Sequence, residues 1–118
     1  MTDYRYNLFK IVFMTLKNYM DTVRWVRDKF RKLPGGVVKK TYRYWNEKSN
    51  GHQCNIYYPE KSADPSSLPA IIDIHGGCWV HGDKDLNDSF NYDLVLKGNV
   101  VTTLTYRTID DVHLKDQI

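Results

Sequence analysis

The chain has 118 residues, of which 42% are hydrophobic and 14% aromatic, which suffices for one modest core but not for two conventional domains. Its net charge is only +3, and no run of Lys and Arg is interleaved with stacking aromatics, so nucleic acid is not an expected partner. Two cysteines are too few for a disulfide scaffold and favour free thiols in a reducing, cytoplasmic location. We expect neither an export signal nor a transmembrane segment, because no apolar run approaches the roughly 20 residues that a bilayer requires.

The first predicted element is a long amphipathic helix, which we treat as segment 1–36 together with the turn that follows it. Pro34 and the glycines after it predict that the helix ends near Leu33. Its polar face is mostly basic. We therefore predict that the apolar stripe packs on its own domain, with docking to a membrane surface or a partner as the alternative. The stripe has the three- and four-residue spacing of a helix and consists of Phe9, Val12, Leu16, Tyr19, Val23, Val26 and Phe30.

Residues 37–118 change to the patterns of an α/β domain. Residues 37–45 and 53–58 alternate polar with aromatic or β-branched side chains, which predicts a β-hairpin. Residues 69–74 predict a strand covered on both faces, residues 85–97 a helix and residues 100–106 another strand, an order that favours parallel pairing. A last helix is expected to begin near Asp110 or Asp111, whose acids suit a helix start.

The most informative segment follows the strand that ends at Ile74, and it reads His75, Gly76, Gly77, Cys78 and Trp79. Glycines let the backbone approach a substrate closely and adopt positive φ. Backbone N–H groups fixed in such a turn are suited to stabilising the oxyanion of ester hydrolysis.

Other interpretations of the same residues stay open. A purely structural turn between strand and helix is one of them. A zinc site formed by His75, Cys78 and His81 is another, but it lacks a convincing fourth ligand. A nucleophilic Cys78 is the third, and it lacks an evident orienting group.

The segment from Ile71 to Lys84 resembles the oxyanion-hole region of the α/β-hydrolase family, in its esterase and hormone-sensitive-lipase-like branch. The shared features are a hydrophobic strand, His-Gly-Gly, an aromatic residue, Gly-Asp, a helix and a second apolar strand ending in Tyr106-Arg107. The family motif is His-Gly-Gly-Gly, whose second and third glycines donate the oxyanion amides. The resemblance therefore assigns the donors to Gly77 and Cys78, with cysteine in place of glycine, and implies that His75 and Gly76 brace the loop. It also implies that Trp79 packs against the loop or lines the acyl pocket, where it would contact substrate, and that no cofactor is needed.

The resemblance extends from the hairpin to the end of the chain. It implies the amino-terminal part of an α/β-hydrolase fold: a long helix, a hairpin and a β-α-β unit of a mixed, mostly parallel sheet that stops after its fourth strand. In this fold the strand before the turn normally pairs with the strand that carries the nucleophile. We therefore expect the strand at 70–74 to keep an unpaired apolar edge, through which the chain could self-associate.

The catalytic triad expected of such an enzyme is not visible in the sequence. No serine has glycines two residues away on both sides, as the nucleophile turn Gly-x-Ser-x-Gly requires. We therefore expect part of a serine-dependent carboxylic ester hydrolase that acts on small esters when whole and is inactive as this chain alone. The alternative is a non-catalytic interaction or structural domain on the same scaffold. The serines considered are Ser49, Ser62, Ser66, Ser67 and Ser89.

Overall fold

The computed structural model describes residues 3–45, 50–108 and 112. Short 3-10 turns lie at Asn50–His52 and Pro65–Ser67. The helix predicted near Asp110 and Asp111 falls outside the described residues. The regular elements, in chain order, are α1 (Asp3–Phe30), β1 (Val37–Arg43), β2 (Gln53–Pro59), β3 (Ala70–Ile74), α2 (Asp88–Leu96) and β4 (Val100–Leu104).

The four strands form one mixed sheet in the order β1-β2-β4-β3. Strands β1 and β2 are the two arms of an antiparallel hairpin, with Val37 opposite Pro59 and Arg43 opposite Gln53. Strand β4 pairs antiparallel with β2 and parallel with β3, so α2 is the crossover between two parallel strands. The sequence prediction of a hairpin followed by a parallel β-α-β unit is confirmed.

The core lies between the sheet and α2. Because side chains alternate along a strand, β2 and β4 each direct every second residue toward that helix. Tyr57, Val95 and Val101 are completely buried there. The ring of Tyr92 meets that of Tyr57 edge to face at a centroid distance of 5.8 Å. This core fixes β4, and through β4 it fixes the position at which β3 ends.

Strand β3 is less covered than its sequence predicts. Ile72 and Ile74 are 68% and 64% exposed, whereas Ile71 faces α2 and packs against the core. The prediction of a strand covered on both faces is wrong. An apolar run indicates that a strand can be buried, but the number of covered faces depends on which elements pack on it. In the described sheet β3 is also a terminal strand, so its outer edge is unpaired, as expected.

Helix α1 is present, but the side that it turns toward the domain is the opposite of the predicted one. It ends at Phe30, three residues before the expected Leu33. Its apolar stripe faces outward, with exposures from 43% at Val26 to 78% at Phe30. The side that faces the domain is polar, and the side chain of Arg24 is only 13% exposed. The predicted packing of the stripe is therefore wrong: the nearest loop presents a carboxylate, Asp83, which attracts the cationic side of the helix.

Within residues 3–45 and 50–108, no helix combines the length and apolar character needed to cross a bilayer. Both cysteines, Cys54 and Cys78, are free thiols. Helix α2 begins at Asp88, later than the predicted Asp85. The residues just before it form a turn, in which the side chain of Asp83 accepts from the N–H of Asp85 at 2.8 Å and its carbonyl accepts from the N–H of Leu86 at 3.1 Å.

Candidate active site

The polypeptide leaves the carboxyl end of β3 in a tight turn formed by residues 75–79, called the glycine turn below. Three consecutive residues have positive φ: Gly77 at 140°, Cys78 at 52° and Trp79 at 63°. The carbonyl oxygen of Gly77 accepts hydrogen bonds from the N–H groups of Val80 (3.1 Å) and His81 (3.0 Å), which closes the turn. A Cβ atom at position 77 would overlap the carbonyl oxygen of His81, so only glycine fits there.

The two N–H groups expected to bind an oxyanion are not used within the glycine turn. In the part of the chain that the structure describes, neither Gly77 nor Cys78 donates a backbone hydrogen bond. Gly77 is partly exposed and Cys78 is exposed. Two adjacent donors on accessible residues at the end of a strand, with no acceptor among the described residues, are available to an external acceptor.

Cys78 and Trp79 adopt a conformation that costs energy for residues with a side chain. A non-glycine residue in the left-handed region carries a strain of order 1 to 3 kcal/mol, and such residues concentrate at functional sites. The surrounding hydrogen bonds to Gly77 hold both residues in place. Cysteine therefore retains the backbone geometry that glycine would adopt without strain.

His75 is buried at 4% exposure and lies at the base of the glycine turn. Its ring stacks on that of Tyr106, with centroids 4.3 Å apart and planes 10° apart. Its Nδ1 atom lies 2.8 Å from the carbonyl oxygen of Gly76, so Nδ1 carries the proton and donates it. The hydroxyl of Tyr106 donates to the carbonyl of His75 at 2.8 Å. Together these contacts fit a loop-bracing role.

Gly82 completes the support of His75 from the other side. A Cβ atom at Gly82, whose φ is 109°, would overlap Nδ1 of His75 and crowd the carbonyl oxygen of Gly76. Glycine here is a packing requirement as well as a conformational one. Gly76, by contrast, has open space where a Cβ atom would stand.

Trp79 projects from the glycine turn with 57% of its surface exposed, so its side chain does not pack into the protein interior. Trp79 directly follows Cys78 in the chain. A substrate contact by Trp79 stays a prediction.

The zinc interpretation finds no support among the described residues. Among the described residues, no three His, Cys, Asp or Glu side chains converge as ligands. Nδ1 of His75 donates to the carbonyl of Gly76, and Nδ1 of His81 lies 3.0 Å from Oδ1 of Asp21. The two histidines considered for zinc are thus directed to different partners, and Cys78 is an exposed free thiol.

A second group of polar side chains lies on the α2 side of the sheet, and the sequence patterns did not reveal it. Lys39 donates to Asp85 (2.6 Å) and Asp88 (2.8 Å), and the hydroxyl of Tyr57 donates to Asp88 (2.6 Å). The Asn55 amide donates to Asp85 (2.8 Å) and Tyr57 (2.9 Å). These five residues are called the polar cluster. Alternation along β1 and β2 could have shown that Lys39, Asn55 and Tyr57 face the same side.

Within the polar cluster, the pKa values of Asp85, Lys39 and Tyr57 are strongly shifted. Burial by itself raises the pKa of Asp85, but the hydrogen bond and charge of Lys39 outweigh it and lower the pKa to about 2. Burial by itself lowers the pKa of Lys39, yet the hydrogen bonds to Asp85 and Asp88 raise it far above its usual value. Burial and the bond to Asp88 raise the pKa of Tyr57. Lys39, Tyr57 and Asp85 therefore each keep one charge state across the physiological range.

The sheet order, the crossover helix and the glycine turn after β3 define the amino-terminal part of an α/β-hydrolase. The BD-FAE family matches residues 54–118, more than half of the chain. The chain belongs to the BD-FAE family. No curated protein sequence matches the chain.

Solved structures similar to this chain include several esterases. Esterase B from Lactobacillus Rhamnosis (HN001) is 31% identical to this chain, with a TM-score of 0.82. The match covers 99% of this chain and 36% of the esterase B chain. An esterase from the archeon Pyrobaculum calidifontis is 25% identical, with a TM-score of 0.57. That match covers 81% of this chain and 29% of the archaeal chain. A bacterial heroin esterase shares the fold, with a TM-score of 0.62 and 19% identity over 78% of this chain and 29% of its own.

The chain spans about a third of the length of esterase B, 36% of that protein. The match to esterase B includes nearly all of this chain, and hence α1 as well as the sheet.

Proposed function

We propose that this chain forms the oxyanion-binding part of a serine-dependent carboxylic ester hydrolase. The observation that carries the proposal is the pair of open N–H groups, on Gly77 and Cys78, at the carboxyl end of a parallel strand. Membership of a family whose solved relatives include esterases supports the reaction class. A small ester is the substrate class that follows, and the chemistry calls for no cofactor.

The proposed role follows from the charge that develops during ester cleavage. Attack on the ester carbonyl turns its oxygen into an oxyanion, and donors placed about 2.7 to 3.1 Å from that oxygen stabilise the transition state. The N–H groups of Gly77 and Cys78 are those donors in our proposal. His75 and Gly76 keep the turn in position, and Trp79 contacts the acyl or alcohol part of the substrate.

Cysteine at position 78 is compatible with this role because the donor is the backbone N–H, which every residue except proline possesses. The cost of the side chain is conformational, and the φ of 52° shows that the cysteine occupies the left-handed region. Cys78 thus makes the turn costlier to form while leaving its donor in place.

The first experiment incubates the 118-residue chain with short-chain nitrophenyl esters. No serine here lies in a nucleophile turn, and loss of the nucleophile costs a serine hydrolase about a million-fold in turnover. We expect no more than weak hydrolysis, insensitive to serine-blocking reagents. Robust hydrolysis that such a reagent abolishes would contradict the proposed division of roles.

The second experiment transfers residues 71–83 into esterase B in place of its corresponding segment and compares two alanine substitutions. Gly77→Ala introduces a Cβ atom that overlaps the His81 carbonyl, so we expect kcat to fall by about 100-fold or more. Gly76→Ala is the matched control, because the brace uses the backbone carbonyl of residue 76, which alanine keeps, and a Cβ atom there meets open space; activity should stay within a few-fold. Equal effects of the two substitutions would remove Gly77 from the oxyanion site.

The alternative function, a non-catalytic interaction domain, is favoured by the unpaired edge of β3 and the exposed side chains of Ile72 and Ile74. Unpaired apolar strand edges recruit strands from other chains. Sedimentation of the chain at increasing concentration tests this self-association. A monomer at all concentrations would count against the alternative, and it would leave the esterase proposal intact.

A further inference from the structure

Helix α1 reaches the loop behind the glycine turn through its polar side. The guanidinium Nη2 atom of Arg24 donates to Oδ1 of Asp83 at 2.6 Å, although 59 residues separate the two along the chain. The Arg24 side chain is 13% exposed and that of Asp83 is 38% exposed. A charge-assisted hydrogen bond of this length is among the stronger contacts in proteins.

The titration of both partners agrees with a firm contact. Burial by itself lowers the pKa of Arg24, but the hydrogen bond and charge of Asp83 outweigh it and the pKa is raised. Burial by itself raises the pKa of Asp83, but the hydrogen bond from Arg24 outweighs it and the pKa is lowered. Each partner therefore favours the charged form of the other.

A second contact lies one helical turn away. Nδ1 of His81 is 3.0 Å from Oδ1 of Asp21. His81 is buried, and its Nδ1 atom is not aligned for a hydrogen bond with any described residue. We therefore assign the greater strength to the pair of Arg24 and Asp83.

The loop held by α1 is the one that closes the glycine turn. Two residues before Asp83, the N–H of His81 donates to the carbonyl oxygen of Gly77 at 3.0 Å. Asp83 also accepts from the N–H of Asp85 at 2.8 Å, which connects the loop to the start of α2. A displacement of Asp83 would therefore be transmitted along two residues to the hydrogen bond between the N–H of His81 and the carbonyl oxygen of Gly77.

We propose that Arg24 is a positioning residue for the oxyanion site, acting through Asp83 and His81 on the glycine turn. This inference rests on the proposed function for its meaning, but not for its test. The charged side of α1 thus has a role that the outward apolar stripe does not suggest. It holds the loop that fixes the positions of the two N–H donors. The proximity of Asp21 to His81 adds a second contact between α1 and this loop.

The test follows single amides of the 118-residue chain by NMR. The N–H groups of Val80 and His81 are bonded to Gly77, so hydrogen exchange at these two amides reports whether the glycine turn is closed. In Arg24→Ala we expect exchange there to accelerate by about tenfold to a hundredfold, as the loss of a charged hydrogen bond implies. The amide shifts of Gly77 and Cys78 should move with it.

Two variants separate positioning from general stability. Lys29→Ala removes a cation from the same helix on its exposed side, and exchange at Val80 and His81 should not change. Arg24→Lys keeps a charge that can reach Asp83 and should restore most of the protection. The amide of Val101, in the core, reports overall unfolding and should keep its exchange rate in all three variants.

Unchanged exchange at Val80 and His81 in Arg24→Ala, with Val101 still protected, would overturn the proposal. If Arg24→Ala unfolds the chain, the double variant with the charges exchanged, Arg24→Asp with Asp83→Arg, decides. Protection of the His81 amide in this variant supports positioning, and loss of that protection with a folded core contradicts it. The esterase proposal is tested separately by the activity of the esterase B chimera, so either proposal can fail while the other holds.

Discussion

The polar cluster and the glycine turn are both built from hydrogen-bonding groups, but they use them in opposite ways. In the polar cluster the donors of Lys39, Asn55 and Tyr57 all reach acceptors, and the charges of Asp85 and Asp88 are met by Lys39. In the glycine turn, two N–H groups reach no acceptor among the described residues, and two side-chain-bearing residues have positive φ.

The difference separates stability from function. A satisfied buried network fixes one arrangement of the elements around it, because breaking any bond leaves a buried group unpaired. Open donors and backbone strain lower stability, and they persist only where the surrounding structure imposes them. The polar cluster therefore stabilises the framework, and in our proposal the glycine turn uses that rigidity to keep its donors available.

The largest effect should come from breaking the polar cluster. Lys39→Ala leaves the carboxylates of Asp85 and Asp88 without their cation, and we expect a loss of about 3 kcal/mol in the free energy of unfolding. Lys40→Ala is the matched control, because the neighbouring lysine is exposed on the opposite side of β1, where its Nζ atom lies over the ring of Tyr58; its unfolding midpoint should move far less. Urea denaturation measures both. Equal losses would mean that the cluster is not a stabilising unit.

A smaller effect should appear on acidification. The pKa of Asp85 is lowered from its ordinary 3.8 to about 2, so its contribution is complete above pH 4 and is lost as the pH falls from about 4 to 2. That shift corresponds to at most about 2 kcal/mol, because the carboxylate is partly exposed to solvent. Urea midpoints at pH 5, 3 and 2 measure the loss. Asp85→Asn should flatten the profile in this window, and an unchanged slope would exclude Asp85 as its source.

The smallest effect should be a gain in stability at the glycine turn. Cys78→Gly removes the side chain from a residue with a φ of 52°, and we expect stabilisation by about 1 kcal/mol, offset in part by the greater freedom of glycine when unfolded. Thermal unfolding compares it with Cys54→Ala, which removes the other thiol from a β-strand and should give no gain. A destabilised Cys78→Gly variant would show that the turn is not strained.

Part of the glycine turn was predictable from the residues alone. The strand before it, the glycines within it and the order of strand, helix and strand around it are properties of neighbouring residues, and they are confirmed in the fold. The support from Tyr106 was not predictable, because the ring that stacks on His75 is 31 residues away along the chain. Pattern and spacing report local structure, whereas a stacked pair depends on where two strands end.

Helix α1 shows the same limit more sharply. Its spacing predicted a helix, which is confirmed, and its apolar stripe predicted an inward face, which is wrong. The spacing of Asp21, Arg24 and Asp28 shows that these charges share one face, but the carboxylate that receives Arg24 lies far away at Asp83. The choice between two faces of one helix depends on the surface opposite it.

The sequence by itself determined the elements and the family of this protein, because hydrophobic period, turn-forming residues and a short motif act through neighbours along the chain. Only the tertiary structure decided which face of α1 is inside, that one face of β3 stays open, and that Lys39, Tyr57 and Asp88 meet. Those outcomes depend on charges and shapes brought together from distant segments, and their energies exist only after the sheet and α2 have formed.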